Sequence, residues 1–379
     1  MIYFDNAATT LKKPPETERA VLEAMRRCAS VGRGGHLPAM RAAQEAFACR
    51  EEAAALFDAS PEQVVFTFHA THGLNIAIRS LVSAGDRVVI SGFEHNAVLR
   101  PLFAIGAEIC PAGRRLFNEE DTVRQFAKAM TPETRAVVCT HVSNVFGYVL
   151  PMERIAALCR ERGIPLVVDA SQSAGILPLS LRALSAAFIA MPGHKALYGP
   201  QGTGILLCGH TAKPILQGGT GSLSDSREMP DFLPDQLEAG THNVPGIAGL
   251  AAGLRFVRSR TPQAIARSED ALLLQVVKGM RRMEGVHVFA AAHGRQTGVL
   301  SFTAKGIDCE TLAQRLARCG VCVRAGLHCA PLAHESAGTK RTGTVRLSFS
   351  AWNTPQEVSA FLRILQSVCR GAEQETTEE

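Results

Sequence analysis

Short apolar runs alternate with stretches of helical periodicity through the first two thirds of the chain. The runs at 64–67, 87–91, 136–141, 165–169, 187–191 and 204–208 read as strands. Most are unbroken apolar segments, as expected of strands covered on both faces. Between several of them lie amphipathic patterns. One spans 152–162, with Ile155, Ala156 and Cys159 on one face and Gly163 as its stop. Alternating strand and helix predicts an α/β architecture with a largely parallel sheet.

After about residue 253 the pattern changes. A long helical stretch at 265–283 leads to strands at 286–289 and 299–303. A helix at 310–319 and strands at 321–324 and 345–349 follow. The closing helix opens on Thr354-Pro355-Gln356-Glu357, a capping box with Pro at the first helical position. Val358, Phe361, Leu362 and Leu365 form its apolar face. The expected organisation is a large domain over 15–253 and a smaller α+β domain built from 1–14 and 254–372. The acidic tail at 373–379 is expected to be solvated and disordered.

Composition narrows the function classes. Of the 379 residues 46% are hydrophobic and 20% charged, enough to bury a sizeable core. The formal charge is +5, with lysines and arginines scattered and no aromatic interleaving, which argues against nucleic-acid binding. The 11 cysteines are an odd number lying mostly in apolar segments, which reads as reduced thiols in a cytoplasmic protein. No stretch is apolar for the roughly 18 residues a membrane helix needs. Met1-Ile2-Tyr3-Phe4-Asp5 carries no pattern of a signal peptide.

Two predicted strand ends carry the first chemical signal. Met191-Pro192-Gly193-His194-Lys195 ends a strand on a lysine, and a desolvated lysine can form an imine with an aldehyde cofactor. On its own this segment reads more readily as a surface lysine in a turn. Leu166-Val167-Val168-Asp169 ends an apolar run on a carboxylate, where open α/β sheets bind ligands. Pyridoxal 5'-phosphate (PLP) enzymes need such an acid beside the pyridine nitrogen to keep the ring an electron sink. The alternative for Asp169 is a helix N-cap. Gln172 follows in the same loop.

Other segments could serve a phosphate or a planar ring. Ala70-Thr71-His72-Gly73 follows the 64–67 run and opens a helix, a place for a phosphate. The Gly-rich pieces 199–204 and 218–222 are weaker phosphate candidates. His95, in Glu94-His95-Asn96, follows another strand end and could stack on a planar ring or lie in a solvated loop.

Seven motifs occur in an order that resembles a known family: Phe4-Asp5-Asn6-Ala7-Ala8-Thr9-Thr10, the Thr71 turn, Glu94-His95-Asn96, His141-Val142-Ser143-Asn144, Val168-Asp169-Ala170-Ser171-Gln172, Gly193-His194-Lys195 and Glu238-Ala239-Gly240-Thr241. They resemble the class V aminotransferase-fold enzymes, specifically the cysteine desulfurases and selenocysteine lyases. The resemblance covers nearly the whole chain. It implies the fold type I of PLP-dependent transferases. It also implies that Lys195 carries the cofactor, Asp169 pairs with the pyridine nitrogen and His95 stacks on the ring. Asn144 and Gln172 would contact ring substituents, and Thr71, His72 and His194 would lie at the phosphate. Thr241 would reach the phosphate of a neighbouring subunit, which implies a homodimer. His36, Asn6 and Ala8 are implied on the substrate side.

The reaction rests on Val323-Arg324-Ala325-Gly326-Leu327-His328-Cys329-Ala330. This resembles the segment carrying the nucleophilic cysteine of group II, SUF-type desulfurases, in which Arg-x4-Cys is the expected spacing. Arg324 and basic surroundings could favour a thiolate at Cys329. Position singles Cys329 out, since buried, inert cysteine is the default among so many. Arg346, in Val345-Arg346-Leu347, alternates with apolar residues on a strand and needs an anion if it points inward. A substrate carboxylate is the function the family places here, and a structural ion pair is the alternative. Cys319 and Cys322 form a C-x-x-C, but they fit a helix end and a strand better than a zinc site.

The expected activity is removal of sulfur from L-cysteine, giving L-alanine and a Cys329 persulfide for an acceptor protein. Selenocysteine lyase, aminotransferase and β-lyase chemistry are the alternatives on the same fold. A non-catalytic sulfur-transfer scaffold is the alternative from another class. Three features depart from the resemblance. Pro192 stands where many desulfurases carry Ser, His72 replaces an acidic residue, and the segment between Ser222 and Leu237 is short.

Overall fold

The structure is a computed structural model, and it describes residues 1–32, 34–292 and 295–377. Its main sheet has seven strands, in the order Val64–Thr67, Gly204–Cys208, Phe188–Pro192, Leu166–Asp169, Thr134–Thr140, Arg87–Ser91 and Glu108–Ala112. Gly204–Cys208 runs antiparallel to both its neighbours, and the other pairings are parallel. Adjacent residues of each apolar run serve opposite faces. Val89, Val137 and Val168 pack into one core with Phe57 and Ile155. Val88, Val138 and Val167 pack into the other with Leu74 and Leu102. Helices cover both faces, so the runs are apolar throughout instead of alternating.

A four-stranded antiparallel sheet follows, in the order Arg324–Gly326, Thr344–Ser348, Val299–Ala304 and Val286–Phe289. The helices Pro262–Met280, Cys309–Arg318 and Pro355–Thr377 pack on it through Leu272, Val276, Leu312, Leu316, Val358 and Phe361. The strand Ile2–Tyr3 pairs with Val321–Cys322, and Asp5 bridges to Ser348, so the chain's beginning is sewn to this second sheet. The capping box forms: Thr354 Oγ1 accepts from Glu357 N at 3.2 Å, and Glu357 Oε2 accepts from Thr354 N at 2.8 Å.

The structure differs from the expectations at three places. Glu108–Ala112 is a strand although it holds a Glu and a Pro; it lies at the sheet edge, where Pro111 need not donate to a ladder. The strand expected at 321–324 is two strands, because Val323 switches between two sheets. The closing helix continues to Thr377, past the expected onset of the acidic tail, while residues 378 and 379 lie outside the described residues. Among the described residues no helix is long and apolar enough to cross a membrane.

The turn carrying Lys195 is closely packed. Gly175 has φ +89°, and a Cβ there would sit 2.3 Å from the carbonyl oxygen of Ala196. Gly175→Ala therefore combines backbone strain with a steric clash and should cost about 1–3 kcal/mol. A lowered thermal unfolding midpoint checks this, and an unchanged midpoint would show that the turn has room to give.

Candidate active site

Five mutually parallel strands end on one side of the main sheet, and each delivers a side chain to the same place. Val64–Thr67 is followed by Thr71, Arg87–Ser91 by His95 and Thr134–Thr140 by Asn144. Leu166–Asp169 delivers Asp169 and Gln172, and Phe188–Pro192 delivers His194 and Lys195. All seven side chains line one cleft of about 490 Å³, together with His69, Thr140, Ser171 and Pro192. This is the position at which parallel α/β sheets bind ligands.

Local hydrogen bonds fix the lining. His95 caps the helix Asn96–Ile105, its Nδ1 accepting from Ala97 N at 3.0 Å, which fixes one edge of the ring. Asp169 is 2% exposed, and no helix starts beside it. Its Oδ1 accepts from Ser171 N at 2.9 Å. Gln172 Nε2 donates to the carbonyl of Ala7 at 3.0 Å. The His194 carbonyl accepts from Lys13 Nζ at 2.9 Å and from Thr10 N at 3.2 Å, while Thr10 Oγ1 donates to Lys195 O at 3.1 Å.

Burial pulls the Lys195 ammonium down to about 8; Arg346 and Arg324 add to this, and Asp169 and Asp5 oppose it. A lysine whose amine is neutral so near physiological pH suits imine chemistry. His194 is pushed down to about 4, by burial first and then by Lys195 and Lys13. His95 is also lowered, chiefly by burial. Beneath the cleft Glu94 is fully buried, and burial raises its carboxyl to about 8. Its Oε1 accepts from Ser91 Oγ and from Thr140 N, while Oε2 has no partner.

Arg346 is 3% exposed and does not line the cleft, but Lys195 and His95 feel its charge. Its Nη2 donates to Asp5 Oδ1 at 2.9 Å, its Nη1 donates to Asn144 O at 3.0 Å, and its Nε has no partner. A structural ion pair therefore exists, and part of the guanidinium stays uncommitted. Arg324 Nη2 binds the other oxygen of Asp5 at 2.9 Å. Cys329 is exposed and lines a second opening with Thr71, His95 and Ala97, which it shares with the cleft.

Other expected residues lie apart. His36 is exposed and caps the helix Leu37–Phe57. His72 stacks on Phe68 at 4.8 Å and lines a separate pocket with Thr241, Leu216 and Glu238. Asn6 Nδ2 donates to Ser348 O at 3.0 Å, and Ala8 N donates to Asp5 O at 3.1 Å. The Gly-rich pieces 199–204 and 218–222 do not line the Lys195 cleft. Cys319 ends the helix Cys309–Arg318, and Cys322 pairs with Tyr3. Asp5, Lys13, His69 and Glu94 were not singled out in the sequence. Their partners lie far along the chain or depend on burial, and only the motif letters Asp5 and Glu94 offered a signal.

The family model for aminotransferase class-V matches residues 2–361. A probable cysteine desulfurase of Xylella fastidiosa is 32% identical over 97% of this chain and 91% of that protein. One from Mycolicibacterium paratuberculosis is 32% identical over 98% of this chain, which spans 56% of that relative's length. The solved apo structure of a cysteine desulfurase from Thermococcus onnurineus superposes with a TM-score of 0.89 at 30% identity, covering 98% of this chain and 95% of that one.

Glu94 yields a prediction with a definite sign. Its raised pKa means that the folded state holds a proton the unfolded state gives up above about 4.5. Wild-type stability therefore falls relative to a non-titrating variant as pH rises from about 4.5 to about 8. Glu94→Gln keeps the acceptor oxygen and removes the titration. Its stability relative to wild type in urea unfolding should rise steadily from pH 5 to pH 8 and then level off. A pH-independent difference would show that Glu94 is ionised in the folded protein.

Proposed function

Because the chain belongs to the aminotransferase class-V family and, within it, to the cysteine desulfurases, we propose that it removes sulfur from L-cysteine with PLP as cofactor, giving L-alanine and a persulfide on Cys329. The observation that carries this reading is the placement of Lys195 and Asp169 at neighbouring strand ends in one cleft, with Cys329 at the adjoining opening.

The lining fits PLP. Lys195 offers an amine that loses its proton near pH 8, and Asp169 offers a buried carboxylate with one oxygen uncommitted to Ser171. The first turn of the helix Ala70–Leu81 and the partnerless Nδ1 of His194 suit a phosphate. His95 presents its ring to the cleft. When bound, PLP supplies an electron sink for the substrate's α-carbon. Lys195 would hold the cofactor, and its Nζ would then move the α-proton. Asn144 and Gln172 would orient the ring. Arg346, through its free Nε, would grip the substrate carboxylate, with Arg324 beside it across Asp5.

The sulfur step conserves atoms. The Cβ–S bond of cysteine breaks and a S–S bond forms at Cys329 Sγ; the bonding pair and a proton end on Cβ as the methyl group of alanine, so the carbon is reduced by two electrons while each of the two sulfurs rises one oxidation step above sulfide. A thiol reductant or acceptor protein then removes it. L-selenocysteine fits the same grip as a second substrate. The proposal includes a homodimer: Thr241 borders a pocket with the half-exposed Phe68 and Leu216, which supports a contact with the partner's phosphate. The buried, unbridged thiols of Cys49, Cys139, Cys159 and Cys208 support a cytoplasmic setting. The two sheets support a large domain over 15–253 and a small one from 1–14 and 254–372.

Purified protein with PLP and a reductant should convert L-cysteine to alanine and sulfide in equal amounts. Cys329→Ala should lower that rate by about a hundredfold or more while leaving the bound-cofactor absorbance intact. Full cysteine turnover in Cys329→Ala would end the persulfide reading.

A further inference from the structure

His328 and Cys329 are consecutive non-glycine residues in the left-handed region, with φ 49° and 54°. Such a pair is unfavourable for L-residues unless its surroundings hold it. Two hydrogen bonds do so. Asn96 N donates to Cys329 O at 2.7 Å, and Asn144 Nδ2 donates to His328 O at 2.8 Å. Asn144 lines the cleft beside Asp169 and Lys195, and Asn96, next to His95, lines the adjoining opening with Cys329. The carbonyl of Asn144 also accepts from Arg346 Nη1 at 3.0 Å. The His328 ring anchors the turn less firmly, with a 3.3 Å contact to Thr344 Oγ1 and a partnerless Nδ1.

We propose that Asn144 is a positioning residue for the Cys329 thiol. Its amide nitrogen fixes the left-handed turn that carries the nucleophile, and its carbonyl ties the same point to Arg346. The orientation of the substrate carboxylate and of the attacking sulfur are thus set through one residue. The bond to His328 uses the amide nitrogen, so the amide oxygen is free for the ring contact that the resemblance implies. The inference rests on the desulfurase reading and goes beyond it, because it assigns Asn144 to the sulfur step and not only to the cofactor.

The holoenzyme tests this with two substrates. L-cysteine needs attack by Cys329. In 3-chloro-L-alanine the chloride leaves unaided, and with water the products are pyruvate, ammonium and chloride. Asn144→Ala removes the donor; Asn144→Asp keeps the shape without one, and carries the test if the alanine variant does not fold. Turnover of cysteine should fall roughly tenfold in kcat, the loss expected for one well-formed hydrogen bond, with KM little changed. Turnover of 3-chloro-L-alanine and the bound-cofactor absorbance report whatever the ring contact loses, and cysteine turnover should fall at least about fivefold further than 3-chloro-L-alanine turnover. Alkylation of Cys329 by iodoacetamide, followed on its own peptide by mass spectrometry, should change by at least about threefold. Equal losses with both substrates would overturn the proposal in favour of a cofactor role alone. Unchanged cysteine turnover and alkylation would overturn it outright. A Cys329→Ser control that kept full cysteine turnover would instead bring down the desulfurase reading, and the inference with it.

Discussion

Asp5 is the charge on which the rest of the site depends. Arg324 and Arg346 lie directly opposite one another on neighbouring antiparallel strands. Two like charges in register repel, and Arg346 is almost wholly buried. Asp5 resolves both problems by bridging the two guanidinium groups: Oδ1 accepts from Arg346 Nη2 and Arg324 Nε, and Oδ2 accepts from Arg324 Nε and Nη2. That fixes the strand leading to Cys329 against the strand bearing Arg346. The same N-terminal segment then continues across the molecule. Ala7 N donates to Ser348 Oγ at 2.8 Å and Ala7 O accepts from Gln172, while Lys13 and Thr10 hold the His194 carbonyl. A stretch of about ten residues thus links the second sheet to the Lys195 turn of the first.

The charges around the cleft form a consistent set. Lys195, Arg346, Arg324 and Lys13 outnumber Asp169 and Asp5 among the groups that act on Lys195 and His194. Such a field favours ligands carrying phosphate or carboxylate. The same positive charges, added to desolvation, press the imidazoles of His95, His194 and His328 towards neutrality, His328 down to about 2. These histidines therefore act as rings and as hydrogen-bonding groups, not as cations. Lys13 is itself lowered to about 8 by burial, yet it stays within reach of two oxygen acceptors.

Much of this was legible in the sequence because the main sheet is buried on both faces. Three of its strands, at 64–67, 87–91 and 204–208, fall where their apolar runs predict. The apolar runs themselves put Lys195, Asp169, His95 and Thr71 after strand ends, and the family resemblance added Asn144 to them. What failed to show was set by tertiary context. Glu108–Ala112 has no strand-like pattern because an edge needs none. The Val323 break reflects two sheets competing for one run. His72 follows Thr71 directly, but successive helical residues face different directions, and its ring turns to Phe68. Asp5 looked like one letter of a motif; its role depends on partners more than 300 positions away in the chain.

The segment around Cys329 shows how a reactive thiol can be exposed without being loose. The backbone on both sides is anchored. His328 O is bound by Asn144 and Cys329 O by Asn96, and Ala330 is fully buried. The helix Pro331–Ser336 follows at once, and Ser336 Oγ donates to Gly92 O at 2.9 Å. No long loop intervenes in which the thiol could swing outward. With the main chain held in two left-handed residues, the Cys329 side chain lines the opening. On the desulfurase reading, a sulfur held at such a point leaves because an acceptor comes to it, and the acceptor must present its own thiol at the opening lined by Thr71, His95, Asn96 and Arg100. Geometry that favours attack on a bound substrate therefore also limits which acceptors can reach the product.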